Sequence, residues 1–185
     1  MDKEFTVYVS ASQQMDAECE QVGQVLASLT QTSRSTIRRT PRGPAGGNPD
    51  LPALAASALY IVVLGTDFSA PIGIEWQAAQ RAGLQTLGYR NTEASPSPSM
   101  VHFLRHTRFD WVEYRGPSGF RATLERTLLR RLLDGTPGFG LDMADVEQIA
   151  ARLSELKGDG QEEEGPDDRR GAAAGGVILP RPLHR

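Results

Sequence analysis

Cysteine is nearly absent from this chain, since Cys19 is the single one among 185 residues. One cysteine cannot close an internal disulfide, which fits a reducing compartment. No apolar run approaches the roughly 18 residues that a membrane-spanning helix needs, and MDKEFTVYVS enters a strand pattern directly, unlike a secretory signal. The formal net charge of −3 is too small to indicate nucleic acid or an anionic membrane as a partner. We therefore expect a cytoplasmic protein.

Several catalytic signatures are also missing. The chain has no GxSxG, GxxxxGK[ST] or GxGxxG, which argues against the usual serine hydrolases, P-loop NTPases and dinucleotide dehydrogenases. His102 and His106 are spaced i and i+4, but the glutamate of HExxH and a third ligand are missing, so we predict no metal site. Cys19 lies on the apolar stripe of a predicted helix and is expected to be a small core residue.

Strand and helix patterns alternate along most of the chain. FTVYVS (5–10) and LYIVVLG are nearly continuous apolar runs, as in strands that are buried on both faces. A helix with apolar residues every three or four positions follows the first of these runs. Further strands are predicted at STIRRT, 84–90 and 109–115, and further helices at 51–58, around Glu75 up to Gly83, at MVHFLRHTR and at 118–134. This order predicts a doubly wound, flavodoxin-like parallel sheet of about five strands over residues 4–134.

The C-terminal part is predicted to be an appendage of this domain. Residues 141–157 form an amphipathic pattern with an apolar stripe, which indicates an extra helix and a surface that a protein partner could use. Residues 158–185 have no hydrophobic period and are expected to form a disordered tail. The terminal VILPRPLHR is interpreted as part of that tail, with a docking peptide as the alternative.

Ligands of open parallel sheets bind beyond the carboxyl ends of the strands, where the winding reverses. Three predicted features lie at that edge, and two of them could contact a phosphate. Ser10 and Ser12 follow the first strand at a helix start and could donate hydrogen bonds to a phosphate. Arg38, Arg39 and Arg42 follow the second strand and could bind phosphates.

Glu75 is the third feature at this edge and the candidate functional acid. On a helix it shares a face with Ala78, Ala79 and Ala82, a small apolar face that should pack on the sheet. An inward carboxylate at the pocket end is partly desolvated, which is typical of functional acids. The alternative is an exposed first-turn acid that interacts with its helix dipole. For Trp76, packing is favoured over a role as a stacking platform for a base.

Two segments resemble a known family. VYVSASQQMDAECEQVGQVLASL is similar to the opening of bacterial TIR-like proteins, which begin with a VFVSSTxxD-type strand, loop and helix. ALYIVVLGTDFSAPIGIEWQAAQRAG resembles their third strand and the following helix, whose S…E element corresponds to Ser69 and Glu75. The second segment is also distantly similar to nucleoside deoxyribosyltransferases. The resemblance covers about residues 4–134 and implies a TIR-like fold.

The resemblance also implies site roles. In catalytic members the helix glutamate attends the ribose of NAD and promotes cleavage of the nicotinamide–ribose bond, a role that would fall on Glu75. Phosphate and ribose contacts would fall on Ser10, Ser12 and Arg38 or Arg39. Ser69 and Trp76 are further candidate residues for binding the nucleotide. The 38–50 segment would correspond to the loop that gates the site and mediates self-association. The sequence departs from the family at Ala11, Gln13, Cys19 and Trp76.

Three functions remain open at this point. The first is a TIR-like effector in bacterial defence or signalling that binds NAD or a related nucleotide as substrate, without a further cofactor, and cleaves it once self-associated. The second is a non-catalytic TIR-like interaction module, and the third is a deoxyribosyltransferase-like N-glycosidase. Cleaving an N-glycosidic bond to a cationic leaving group builds an oxocarbenium-like centre, which one carboxylate can stabilise without a metal.

Overall fold

A computed structural model describes residues 5–29, 35–41, 48–134 and 143–159 of the chain. The described part contains one sheet of five strands in the order β2-β1-β3-β4-β5, and every pairing is parallel. The strands are β1 (Phe5–Ala11), β2 (Ser35–Arg39), β3 (Leu59–Leu64), β4 (Thr86–Asn91) and β5 (Val112–Tyr114). The central strand β3 is buried along its whole length, as its uninterrupted apolar sequence predicts.

In the described ranges, six α-helices connect and follow these strands. They are α1 (Asp16–Leu29), α2 (Leu51–Ala55), α3 (Ala70–Arg81), α4 (Pro98–His106), α5 (Gly116–Leu133) and α6 (Met143–Asp159). A short 3₁₀ turn, Gln13–Met15, joins β1 to α1. None of the helices in the described residues is long and apolar enough to span a membrane.

Helices cover both faces of the sheet because alternate strand residues point to opposite sides. Val7, Val9 and Ile61 belong to one buried cluster, with the apolar residues of α1 and α5. Tyr8 and Tyr60 belong to the other, with the apolar residues of α2, α3 and α4. The predicted doubly wound, flavodoxin-like α/β fold is confirmed, and its winding reverses between β1 and β3.

Helix α6 packs against α5 in the described structure. Its stripe residues Ile149, Leu153 and Leu156 are buried in the same cluster as α5. Arg152 Nε donates to Glu125 Oε1 on α5 across 2.7 Å. The amphipathic helix is therefore confirmed, but its apolar face is already occupied within the chain. A partner that used this stripe would have to displace α5.

Several boundaries differ from the predictions. Helix α3 begins at Ala70, with Ser69 at its N-cap and a proline in its first turn, so Glu75 lies in the second turn. The first-turn interpretation of Glu75 is therefore wrong. The stop near Gly83 is confirmed, since Gly83 adopts a φ of +65° just after the C-cap residue.

Strand β5 is much shorter than the predicted range 109–115. A Cβ at Gly88 would lie 2.7 Å from ring atoms of Trp111 and even closer to Phe109, so both rings occupy the space over that glycine. Residues 109 and 111 consequently pack on β4 instead of extending the ladder. The tail was predicted to begin at residue 158, but α6 extends to Asp159. Residues 160–185, the central part of the 38–50 loop and Arg42 lie outside the described residues.

Candidate functional site

The Glu75 carboxylate lies against the carboxyl-terminal half of β1, next to the point where the winding reverses. Its side chain is completely buried although it is ionisable. It points inward because Glu75 shares the sheet-facing side of α3 with Ile72 and Ala79, both also fully buried. Ala82, predicted on the same face, is exposed at the C-cap position, so the inward stripe ends at Ala79.

Three hydroxyl groups donate hydrogen bonds to this carboxylate. Tyr8 Oη donates to Glu75 Oε1 across 2.7 Å. Ser10 Oγ donates to Oε2 across 2.6 Å, and Thr40 Oγ1 donates to the same oxygen across 2.7 Å. Tyr8 and Ser10 share one face of β1 because they are two residues apart, whereas Thr40 directly follows β2. The site thus joins three separate segments of the chain.

Burial dominates the electrostatics of Glu75. Desolvation raises the pKa of its carboxyl above the ordinary value, and the hydrogen bonds from Ser10, Thr40 and Tyr8 oppose this change by stabilising the ionised form. Burial, with the Glu75 carboxylate beside it, also raises the pKa of the Tyr8 phenol far above its usual range. Tyr8 therefore keeps its proton and acts as a donor near neutral pH.

The two serines predicted to bind phosphate occupy different settings. Ser10 lies inside β1, fully buried, and its hydroxyl is directed at Glu75 rather than at a helix N-terminus. Ser12 is the N-cap residue of the 3₁₀ turn but makes no side-chain capping hydrogen bond. Its Oγ is buried and has no hydrogen-bond partner among the described residues. Only Ser10 is therefore brought to the predicted acid.

Of the arginines predicted to bind phosphate, Arg38 and Arg39 are described, and neither forms a hydrogen bond or ion pair with Glu75 among the described residues. Arg38 is exposed on β2. Arg39 Nη2 forms an ion pair with Asp16 Oδ1 of α1 across 3.2 Å, and both side chains are partly exposed. A phosphate that bound Arg39 would therefore compete with Asp16.

Ser69 and Trp76 also take structural positions. Ser69 is half-buried at the N-cap of α3 without a capping hydrogen bond from its side chain. Trp76 is 8% exposed and packs within the aromatic cluster of that face, at 5.4 Å from Trp111 between ring centroids. The packing interpretation of Trp76 agrees with this arrangement. Neither Ser69 nor Trp76 is among the described residues that donate a hydrogen bond to Glu75.

Tyr8 and Thr40 are site residues that the sequence analysis missed. The signal for Tyr8 was its place in a strand that is otherwise apolar and buried, because a buried hydroxyl needs a partner. The signal for Thr40 is weaker, since it ends the STIRRT segment and its pairing with Glu75 depends on the strand order. Each lies more than 30 residues from Glu75 in sequence, with separations of 67 and 35.

A second buried carboxylate, Glu18, lies on the opposite face of the sheet. Glu18 is 4% exposed on α1, and Tyr114 Oη donates to its Oε1 across 3.1 Å. The same hydroxyl lies 3.6 Å from Met15 Sδ, which packs over Gly65. Within the residues described, no group of three or more His, Cys, Asp or Glu residues is arranged to hold a metal ion. His102 and His106 do lie together, with ring centroids 4.1 Å apart.

Comparisons with known proteins add no family assignment. No protein-family model matches the chain, and no curated protein sequence matches it.

Proposed function

We propose that this chain is a TIR-like domain that binds NAD or a related nucleotide and cleaves the nicotinamide–ribose bond. The observation that carries the proposal is the buried Glu75 carboxylate, held by three hydroxyls beside the reversal of the sheet winding. That location is where open parallel sheets bind their ligands. The resemblance to bacterial TIR-like proteins at the same residues supports the choice of NAD as substrate.

The arrangement suits stabilisation of a developing positive charge. A carboxylate whose oxygens are fixed by hydrogen bonds needs little reorganisation when an oxocarbenium-like centre forms nearby. Its side chain is buried away from water, so the attraction between opposite charges is stronger than in bulk solvent. A carboxylate can accept about four hydrogen bonds. The described residues supply three, one to Oε1 and two to Oε2, so both oxygens are held in place.

Access to Glu75 requires a rearrangement, because its side chain is completely buried in the chain considered alone. This fits activation by self-association, the state in which we propose that the nucleotide reaches the acid. The 38–50 segment is the proposed contact between copies of the chain. Thr40, within this segment, donates a hydrogen bond to Glu75.

The test is nicotinamide release from NAD by the wild type and by Glu75→Gln, each measured dilute and at high protein concentration. We expect release by the wild type that rises with assembly and is lost in Glu75→Gln. Glu20→Gln is the matched control, since Glu20 is an exposed glutamate on α1. Release by Glu75→Gln at the wild-type rate, or none from the assembled wild type, would contradict the catalytic proposal.

A non-catalytic interaction module is the second candidate. It is favoured by the fact that all three described hydrogen bonds of Glu75 are internal, so the residue also links α3 to β1. In this case Glu75→Gln lowers stability, and NAD is neither bound nor cleaved. The third candidate is a deoxyribosyltransferase-like N-glycosidase. Supplying nucleosides instead of NAD and analysing the products distinguishes it from the other two, because only this candidate cleaves free nucleosides.

A further inference from the structure

The three hydroxyls around Glu75 differ in how firmly they are enclosed. Tyr8 and Ser10 have no exposed surface and belong to β1, which lies between β2 and β3. Thr40 is half-buried and lies just after the edge strand β2. Among the described donors, Thr40 is therefore the one with surface that solvent can reach.

The backbone of Thr40 is fixed even though its side chain is partly exposed. Thr40 N donates to Val9 O across 3.1 Å and so continues the β1–β2 ladder by one residue. A rotation about χ1 can therefore withdraw Oγ1 from Glu75 without moving the chain. The Thr40 hydroxyl can therefore be replaced by another donor, whereas the donors Tyr8 and Ser10 of β1 are part of the core.

We propose that Thr40 is a positioning residue whose hydroxyl occupies, in the resting site, the place on Glu75 Oε2 that a ribose hydroxyl of the nucleotide takes on binding. The exchange swaps one alcohol donor for another, so the carboxylate keeps its hydrogen-bond count. Tyr8 and Ser10 hold the carboxylate in place throughout. This inference rests on the proposed function, since it takes a ribose-containing nucleotide as the ligand.

The chain offers a matched pair of variants for the test. Thr40→Val removes the hydroxyl with little change in shape, and Thr40→Ser retains it. ADP-ribose and NAD are the probes, and calorimetry gives their affinities. Each variant is measured at a pH well above its own Glu75 pKa, obtained from ¹³C NMR of labelled glutamate, so that the carboxylate is ionised in every sample.

We expect Thr40→Val to bind ADP-ribose about tenfold more tightly than the wild type, because the ligand no longer displaces an internal donor to a charged group. Thr40→Ser should bind like the wild type. In the absence of ligand, the NMR titration should show a higher Glu75 pKa in Thr40→Val and an unchanged one in Thr40→Ser. A purely structural role for Thr40 would weaken or leave unchanged the affinity of the valine variant.

The outcomes separate this inference from the proposed function. Equal affinities in all three proteins, or weaker binding by Thr40→Val, overturn the role of Thr40 while the nucleotide site stands. Binding by none of them overturns both proposals. Should Thr40→Val fail to fold, Thr40→Ala with the same serine control replaces it.

Discussion

The Ser10 hydroxyl donates to Glu75 Oε2 across 2.6 Å, although the two residues are 65 positions apart in the sequence. Both side chains are completely buried. This bond links the interior strand β1 to α3 and gives a buried carboxylate a hydrogen-bond donor. It therefore serves the stability of the fold as well as the geometry of the candidate site.

Removing this donor should destabilise the protein measurably. Ser10→Ala leaves a buried carboxylate with one hydrogen bond fewer, which costs about 1–3 kcal/mol. Urea unfolding gives the free energy. Ser28→Ala is the control, because the exposed Ser28 hydroxyl bonds only to a backbone oxygen of its own helix, and we expect a change within about 0.5 kcal/mol. Equal effects of the two substitutions would contradict a stabilising role for the Ser10–Glu75 bond.

Glu75 should make stability depend on pH with a defined sign. Its folded-state pKa is raised above the ordinary 4.5. As the pH rises, the Glu75 carboxyl therefore loses its proton at a lower pH in the unfolded state than in the native state. This contribution is fully present below pH 4.5 and is lost as the pH rises through the folded-state pKa. A tenfold difference in the acid dissociation constant between the two states corresponds to about 1.4 kcal/mol. The neighbouring phenols of Tyr8 and Tyr60 have raised pKa values and stay protonated throughout.

The measurement compares urea unfolding of the wild type and Glu75→Gln between about pH 4 and pH 8. We expect the free-energy difference between them to move in favour of the glutamine variant as the pH rises, because glutamine has no proton to lose. A difference that is constant over this range would show that burial does not raise the pKa of Glu75.

The sequence alone was enough to predict most of the strands and helices and the buried face of α3. Continuous apolar runs identified β1 and β3, and the spacing from Glu75 to Ala79 identified the buried side of the helix. Both signals are local, because they depend only on residue type and on the 2.0 and 3.6 periods. The start of α3 at Ala70 could not be read from the sequence, because the first turn of the helix, API with a following glycine, has little apolar periodicity.

The hydrogen-bond partners of Glu75 could not be predicted from local sequence patterns. The Thr40 bond requires β2 to lie beside β1, and the Tyr8 bond requires α3 to cross that face of the sheet. Neither strand order nor helix docking can be read from spacing. The phosphate roles assigned to Arg38 and Arg39 came from their place at the carboxyl end of β2 and stay predictions. In the structure, Arg39 forms an ion pair with Asp16.

The pair between α5 and α6 should contribute more than a surface ion pair. Glu125 has a side chain only 9% exposed, so Arg152→Met leaves a nearly buried carboxylate without its cation, at a cost of about 1–2 kcal/mol. Arg90→Met is the control, since the Arg90–Glu113 pair is exposed and its loss should cost under about 0.5 kcal/mol.

A double variant tests the reason for this cost. Replacing Glu125 by leucine in the Arg152→Met background removes the stranded carboxylate and should restore most of the lost stability. Urea unfolding measures all of these variants. If the double variant is as unstable as Arg152→Met, the penalty does not come from the unpaired charge.

Two glycines should respond in opposite directions to alanine. A Cβ on Gly65 would lie 3.0 Å from Met15 Sδ and closer to the terminal methyl, so Gly65→Ala forces Met15 to move and costs about 1–3 kcal/mol. A Cβ on Gly23, inside α1, would lie 3.7 Å from Ile37, so Gly23→Ala should stabilise by up to about 1 kcal/mol through helix propensity.

Thermal and urea unfolding distinguish these cases. Because Gly65 and Met15 share one space, combining Gly65→Ala with Met15→Ala should destabilise less than the sum of the single effects. Additive effects would mean that the Met15 side chain is not what restricts Gly65.

Trp76 offers the sharpest test between packing and nucleotide stacking. Its ring meets Phe103 and Phe109 edge-on, with centroids at 5.6 and 5.2 Å, and only 8% of the residue is exposed. Trp76→Leu removes this aromatic contact and should cost about 2–4 kcal/mol in urea unfolding. Phe68→Leu, at a half-buried position stacked on Phe103, is the control and should cost less. Because a packing residue does not touch the ligand, the folded leucine variant should keep its NAD affinity within about threefold, under 1 kcal/mol; a loss of about tenfold or more would make Trp76 a binding residue.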